Sequence, residues 1–202
     1  MQNKINEKQK HETGIKGIYT KYICKEIFLS IGLWISIIMS ITCFTYLYYF
    51  STLNDYELLI KIIEKNISIF PSILGFCIAG YALIIGFGSR EILKKIAGID
   101  IGGNMSIFQY TSRIFATAII VQVITLLSSF LVWHLLNLEI NSLNAKFINT
   151  ATISFIFFTS LYSIILIGYT VTNVFNFGQL IHACVKEEII NENENANKTD
   201  NL

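Results

Sequence analysis

Ser68–Ser89 reads SIFPSILGFCIAGYALIIGFGS and carries no charge. Stepping by four and three from Ser68 gives Ser72, Gly75, Ala79, Ala82, Gly86 and Ser89, and positions spaced this way share one face of a helix. Every residue on that stripe is small, whereas Phe, Ile, Leu, Tyr and Cys fill most of the rest. An uncharged run of this length spans a bilayer as a helix. In lipid, a seam of Gly, Ala and Ser lets two helix backbones approach closely where no hydrophobic force drives them together. The stretch is read as the second of four transmembrane helices, about 67–89, and as the packing spine of the molecule. Its partner is either another helix of the chain or a second copy; lining a pore in an oligomer is a third use.

The flanks of this span are polar in different ways. Pro71, the only proline, stands near its start and either occupies the first turn or kinks the helix. Beyond it, REILKKIAG (90–98) brings Arg90, Lys94 and Lys95 to anionic lipid headgroups, with Gly98 as the stop. The glycines of GIDIGGN (98–104) do not make a phosphate loop, because no Lys-Ser/Thr follows and no strand precedes; a turn between helices accounts for them. Before the span, NDYELLIKIIEKN (54–66) places Leu59, Ile62 and Ile63 on one side and Glu57, Lys61, Glu64 and Lys65 on the other. That pattern predicts a short amphipathic helix resting on the outer membrane face, with Asn54 and Glu57 forming a capping-box-like start.

Three further apolar runs complete the set. The first span covers about 27–50 and reaches roughly 36 Å at helical rise, with Tyr46, Tyr48 and Tyr49 where an interfacial aromatic belt belongs. The third covers 114–138. Ala118, Gln122, Thr125 and Ser129 share one of its faces, and a primary amide near mid-bilayer must look inward to find partners. Trp133 and His134 mark its outer end, His134 reading as an interfacial histidine in preference to a proton switch. The fourth covers about 151–175, within a stretch free of charge from Phe147 to Val185. Asn173 and Asn176, with Thr170 and Gln179, gather at its end, where they line a vestibule or cap the bundle.

The composition agrees with a bilayer protein. Of 202 residues 53% are hydrophobic and 14% charged, and the mean hydropathy is +0.55, far above a soluble domain. All fifteen Lys and Arg and all fourteen Asp and Glu lie outside the four spans. With four spans both termini fall on one side, which carries twelve Lys and Arg against Lys61, Lys65 and Lys146 opposite. The positive-inside rule then puts both ends in the cytoplasm. The fold expected is all-α and polytopic: a basic N-terminal segment (1–20), a four-helix transmembrane domain (21–190) and an acidic, disordered tail (191–202).

The same segregation bears on function. Voltage sensing and ion-coupled transport ordinarily keep a charge within the membrane, and none is present. No His-Glu-x-x-His, Gly-x-Ser-x-Gly or intramembrane Asp pair appears, so no catalytic residue, cofactor or metal ligand is assigned. Cys24, Cys43, Cys77 and Cys184 match no zinc or redox spacing, and His182 and Cys184, two apart, point away from each other. The basic N-terminal segment lacks the aromatic platform of a nucleic-acid binder. A cleavable signal peptide is not expected, because polar residues precede the first apolar run and no small-residue cleavage site follows it.

Residues 71–95, PSILGFCIAGYALIIGFGSREILKK, resemble the second span of small, uncharacterised bacterial four-helix inner-membrane proteins. Proteins of this build also serve as membrane components of phage-defence systems, where they sense or depolarise the inner membrane. The resemblance covers about an eighth of the chain and carries over no functional residue. It implies a non-enzymatic protein whose partners are the lipid bilayer and further copies of itself. The alternative is an accessory subunit that anchors or regulates a transporter, a channel or a cytoplasmic protein.

Overall fold

The computed structural model describes residues 30–50, 55–87, 90–99, 106–136 and 145–199. The basic segment 1–20, Cys24, the opening residues of the first span, Asn54, Ser89, Gly102 and Gly103, and the end of the third span at 137–138 lie outside the described residues. Five helices make up the described residues: α1 (Ile31–Tyr49), α2 (Asp55–Phe87), α3 (Arg90–Gly98), α4 (Ile107–Leu136) and α5 (Ala145–Thr199). All but α3 are long and apolar enough to cross a membrane.

Helix α1 starts where Ser30, in extended backbone, accepts the Leu33 amide on its hydroxyl at 3.3 Å. Only residues 51–54 separate α1 from α2, yet α1 packs chiefly against α5. Helix α4 starts seven residues before the expected third span. Ser106 accepts the Gln109 amide, and the Gln109 side chain accepts the Ser106 amide, each at 3.2 Å. This is a reciprocal capping box, which satisfies two donors that would otherwise lack partners.

The expected amphipathic helix at 54–66 is not a separate element. It forms the first third of α2, whose 33 residues run without a break past Pro71. Pro71 therefore lies deep inside the helix and not in its first turn, a position membrane helices tolerate when neighbours satisfy the freed carbonyl. The apolar face of that first third is buried in the bundle: Leu59 and Ile63 pack with Leu47, Ile153 and Ile156. The pattern that reads as surface amphipathicity is the end of a core face, since the same inward register continues through Asn66, Phe70, Cys77 and Ile84.

Helix α5 is the common support. It packs against α1, α2 and α4, while α2 also packs on α4 and α3 touches both α4 and α5. Its 55 residues extend to Thr199, so the tail expected to be disordered is helical through that residue; extending an established helix costs far less than starting one. Residues 200–202 lie outside the described residues.

The small-residue stripe does not serve as the spine within the chain. Ser68, Ser72, Gly75, Ala79, Ala82 and Gly86 are all exposed, and a Cβ added at Gly75 or Gly86 would meet nothing within 4 Å. Bulky residues on the opposite side of α2 make its contacts. The reason lies in the neighbours: α4 turns Thr117, Ala118, Thr125 and Ser129 inward, and α5 turns Ser154, Thr159 and Ser163 inward. Two faces of small side chains leave space, and close packing requires the third helix to fill it. Close backbone approach occurs elsewhere, on α1. A Cβ added at Gly32 would lie 2.5 Å from Ile165 Cγ2, and Gly32, Ser36, Ser40 and Cys43 form a small-residue seam toward α5.

Candidate functional site: a buried polar column

The interior of the bundle has an apolar cluster at each end and a third at Ala118, Tyr162 and Leu166, with buried amides and hydroxyls set among them. Leu47, Leu59, Ile63, Ile153 and Ile156 close one end, and Ile84, Ile96, Phe115, Phe177 and Cys184 close the other. Between them, α2, α4 and α5 contribute amides and hydroxyls. Asn66 donates from Nδ2 to Ser160 Oγ at 2.8 Å and to Ser129 Oγ at 3.2 Å, tying three helices together. Ser129 donates in turn to the Thr125 carbonyl at 2.8 Å. The Thr125 hydroxyl lies 2.9 Å from Ser163 Oγ and 3.2 Å from the Thr159 carbonyl. A further crosslink joins α1 to α5, where Ser40 donates to the Ser154 carbonyl at 2.7 Å.

Gln122 sits next along α4, fully buried. Its Nε2 donates to Cys77 Sγ at 3.2 Å, while its Oε1 and the Thr117 hydroxyl have no hydrogen-bond partner among the described residues. Turning the amide over would exchange one orphan for another. Burial without a partner costs about 1–3 kcal/mol for such a group, and the Thr150 hydroxyl is a further buried group with no partner among the described residues.

The residues that build the column include no acid or base, and among the described residues no group of three His, Cys, Asp or Glu could hold a metal. Its chemistry is that of neutral hydroxyls and amides, which donate and accept without changing charge. Several of these hydroxyls also bond their own helix, as Ser160 does to the Ile156 carbonyl at 2.7 Å. Each such group has a local alternative to its partner across the interface.

Of the polar residues read from the sequence, Gln122, Thr125 and Ser129 thus lie inside the bundle. Asn173 and Asn176 do not join them. Asn173 donates to its own Tyr169 carbonyl at 2.8 Å, and Asn176 is exposed; they neither line a vestibule nor cap the bundle among the described residues. At the third-helix end, Lys94 is exposed and Lys95 Nζ lies 3.0 Å from Glu188 Oε1 on α5. The hydrogen bond from Lys95 to Glu188 raises the Lys95 pKa above its ordinary 10.5. The Arg90 side chain lies outside the description.

No family model, curated protein or solved structure matches the chain.

The column and its surroundings hold residues that the sequence alone does not single out. Asn66 ends a segment that reads as membrane-surface helix, yet its amide bridges two other helices at once. The spacing of Asn66 from Leu59 and Ile63 on one helical face is the signal that could have found it. A second feature has no sequence signature: an apolar groove of about 770 Å³ runs between α2 and α5, with Phe115 of α4 beneath it. At the opposite end of the bundle, Tyr48 stacks on Phe44 and meets Phe147 edge-on, with Lys146 Nζ 5.8 Å from the centre of its ring. That arrangement suits a membrane–water boundary.

Proposed function

We propose that the protein is a non-enzymatic, multi-pass component of the bacterial inner membrane, with both termini cytoplasmic, that associates with copies of itself and senses or permeabilises the bilayer. Its setting would be a stress or phage-defence system. The observation that carries this reading is the outward position of the small-residue stripe on α2. The chain already holds its helices together through the opposite face, which leaves Gly75, Ala79, Ala82 and Gly86 free for a second copy. Small residues are the usual contact surface between helices in lipid. The excess of Lys and Arg on the side of the termini supports the orientation, and the resemblance of residues 71–95 supports the setting.

Inducible expression of the full chain with a membrane-potential dye tests the activity. Loss of potential on induction or on phage challenge is expected, and Ala79→Leu and Gly86→Leu should abolish it while leaving insertion intact. Viability and potential that stay unchanged under every trigger would remove the permeabilising role.

A second reading is favoured by one observation, the length of α5. Beyond its ion pair with α3 at Glu188 it continues through residues 189–199 for roughly 16 Å, an arm on which a cytoplasmic partner or a neighbouring membrane subunit could dock. Truncation after Ile190 separates the two. It should spare depolarisation if copies act alone and abolish activity if the arm recruits a partner.

A further inference from the structure

The outward face of α2 does not end with its small residues. Stepping back from Ser68 by four, three and four reaches Glu64, Lys61 and Glu57, so one helical face reads Glu-Lys-Glu-Ser-Ser-Gly-Ala-Ala-Gly from Glu57 to Gly86. Lys65 flanks the same line. All of these residues are exposed, and Lys61, Glu64 and Lys65 form no ion pair among the described residues.

Depth gives these charges weight. Ile63 packs with Leu47, Ile153 and Ile156, and Asn66 bonds Ser129 and Ser160. Lys61 and Glu64 therefore stand level with Tyr46 on α1, Phe130 on α4 and Phe155 on α5, all exposed. At the edge of the acyl layer the local dielectric falls, and an opposite charge stabilises each ion more than it would in water.

The order of signs selects the occupant. Glu57, Lys61, Glu64 and Lys65 sum to zero, so a uniformly anionic surface meets as much repulsion as attraction here. A second copy is complementary. Copies inserted in one orientation bring α2 against α2 in parallel. In such a pair a side chain on the contact line sits among residues three and four places before and after its own position on the neighbour. Lys61 of one copy then falls between Glu57 and Glu64 of the second copy.

We infer that Lys61 and Glu64 form ion pairs between copies and set the register in which the small residues meet. This rests on the self-association proposed above and adds the groups that align it. The test uses the full chain in native membranes, with Ala82→Cys as the crosslinking reporter in every copy and two epitope tags to tell copies apart. Copies with Glu64→Lys, and copies with Lys61→Glu plus Lys65→Glu, should each crosslink among themselves about fivefold less than the parent, as when two exposed pairs are lost from a symmetric contact. Co-expressed, the two variants should crosslink with each other at the parent's level, because opposite charges face again; that recovery also shows that both insert and fold. Charge variants that crosslink as well as the parent overturn the inference and leave self-association standing, the charges then being served by water and zwitterionic headgroups. A mixed pair that does not recover overturns it too. Absence of any crosslink in the parent overturns both the inference and the self-association beneath it.

Discussion

An enclosed primary amide needs partners for its oxygen as well as its nitrogen, and Gln122 has a soft one for the nitrogen and none for the oxygen among the described residues. Removing it should therefore cost little. Gln122→Leu is expected to leave the melting temperature of the purified protein unchanged or raised, since the lost bond to sulfur is weak and the orphaned oxygen disappears. A clear fall in melting temperature would mean that the oxygen has a partner, such as a bound water. Asn66 is the contrasting case. Asn66→Ala deletes both bonds that join α2 to α4 and α5, and a loss of about 1–2 kcal/mol is expected from such interhelical bonds in lipid. At Gly32 the effect is steric. Gly32→Val would drive a methyl-bearing carbon into Ile165 and should destabilise the α1–α5 contact by about 1–3 kcal/mol, read as loss of a Ser40→Cys to Ser154→Cys crosslink. Gln122 could be singled out from sequence because an amide in an apolar run stands out. Gly32 could not, since its role depends on which residue of a distant helix faces it.

Single helices show where a sequence speaks and where it is silent. The existence of four spans is legible because charge is absent over long stretches, and no tertiary contact can hide that. Their ends are less so. Helix α4 begins at a capping box in a segment that reads as loop, and α2 begins in what reads as a surface helix; in both, the helix continues beyond the apolar run that announces it. The inward face of α2 is hidden for another reason. Two periodic faces share that helix, one small and one bulky, and only the small residues of α4 and α5 determine which is covered. Helix α3 allows a test by pH. Because Glu188 raises the Lys95 pKa, the ion pair's contribution is full below the ordinary lysine value of 10.5 and is lost as pH rises through the elevated one. A fluorophore at Ala97→Cys should report α3 immobile until above pH 10.5. Glu188→Gln should increase its mobility already at neutral pH, modestly, as for any exposed pair.

For the molecule as a whole, three crossing helices rest on one. Helix α1 meets chiefly α5, and α2 and α4 meet it as well as each other. Oligomer formation is tested at this scale: Gly75→Cys or Ala82→Cys should crosslink copies in native membranes, whereas the native thiol at the covered Cys77 should not. Absence of crosslinks at both outward positions would leave the stripe facing lipid alone.

The unbroken course of α5 has a mechanical corollary. A force applied near Thr199 reaches Thr150 without crossing a joint, so a tug or twist on the protruding arm is delivered at once to every crossing helix. Inserting a pair of glycines after Ile190 would put a universal joint in that lever, disconnecting the far end while leaving the bundle as it was.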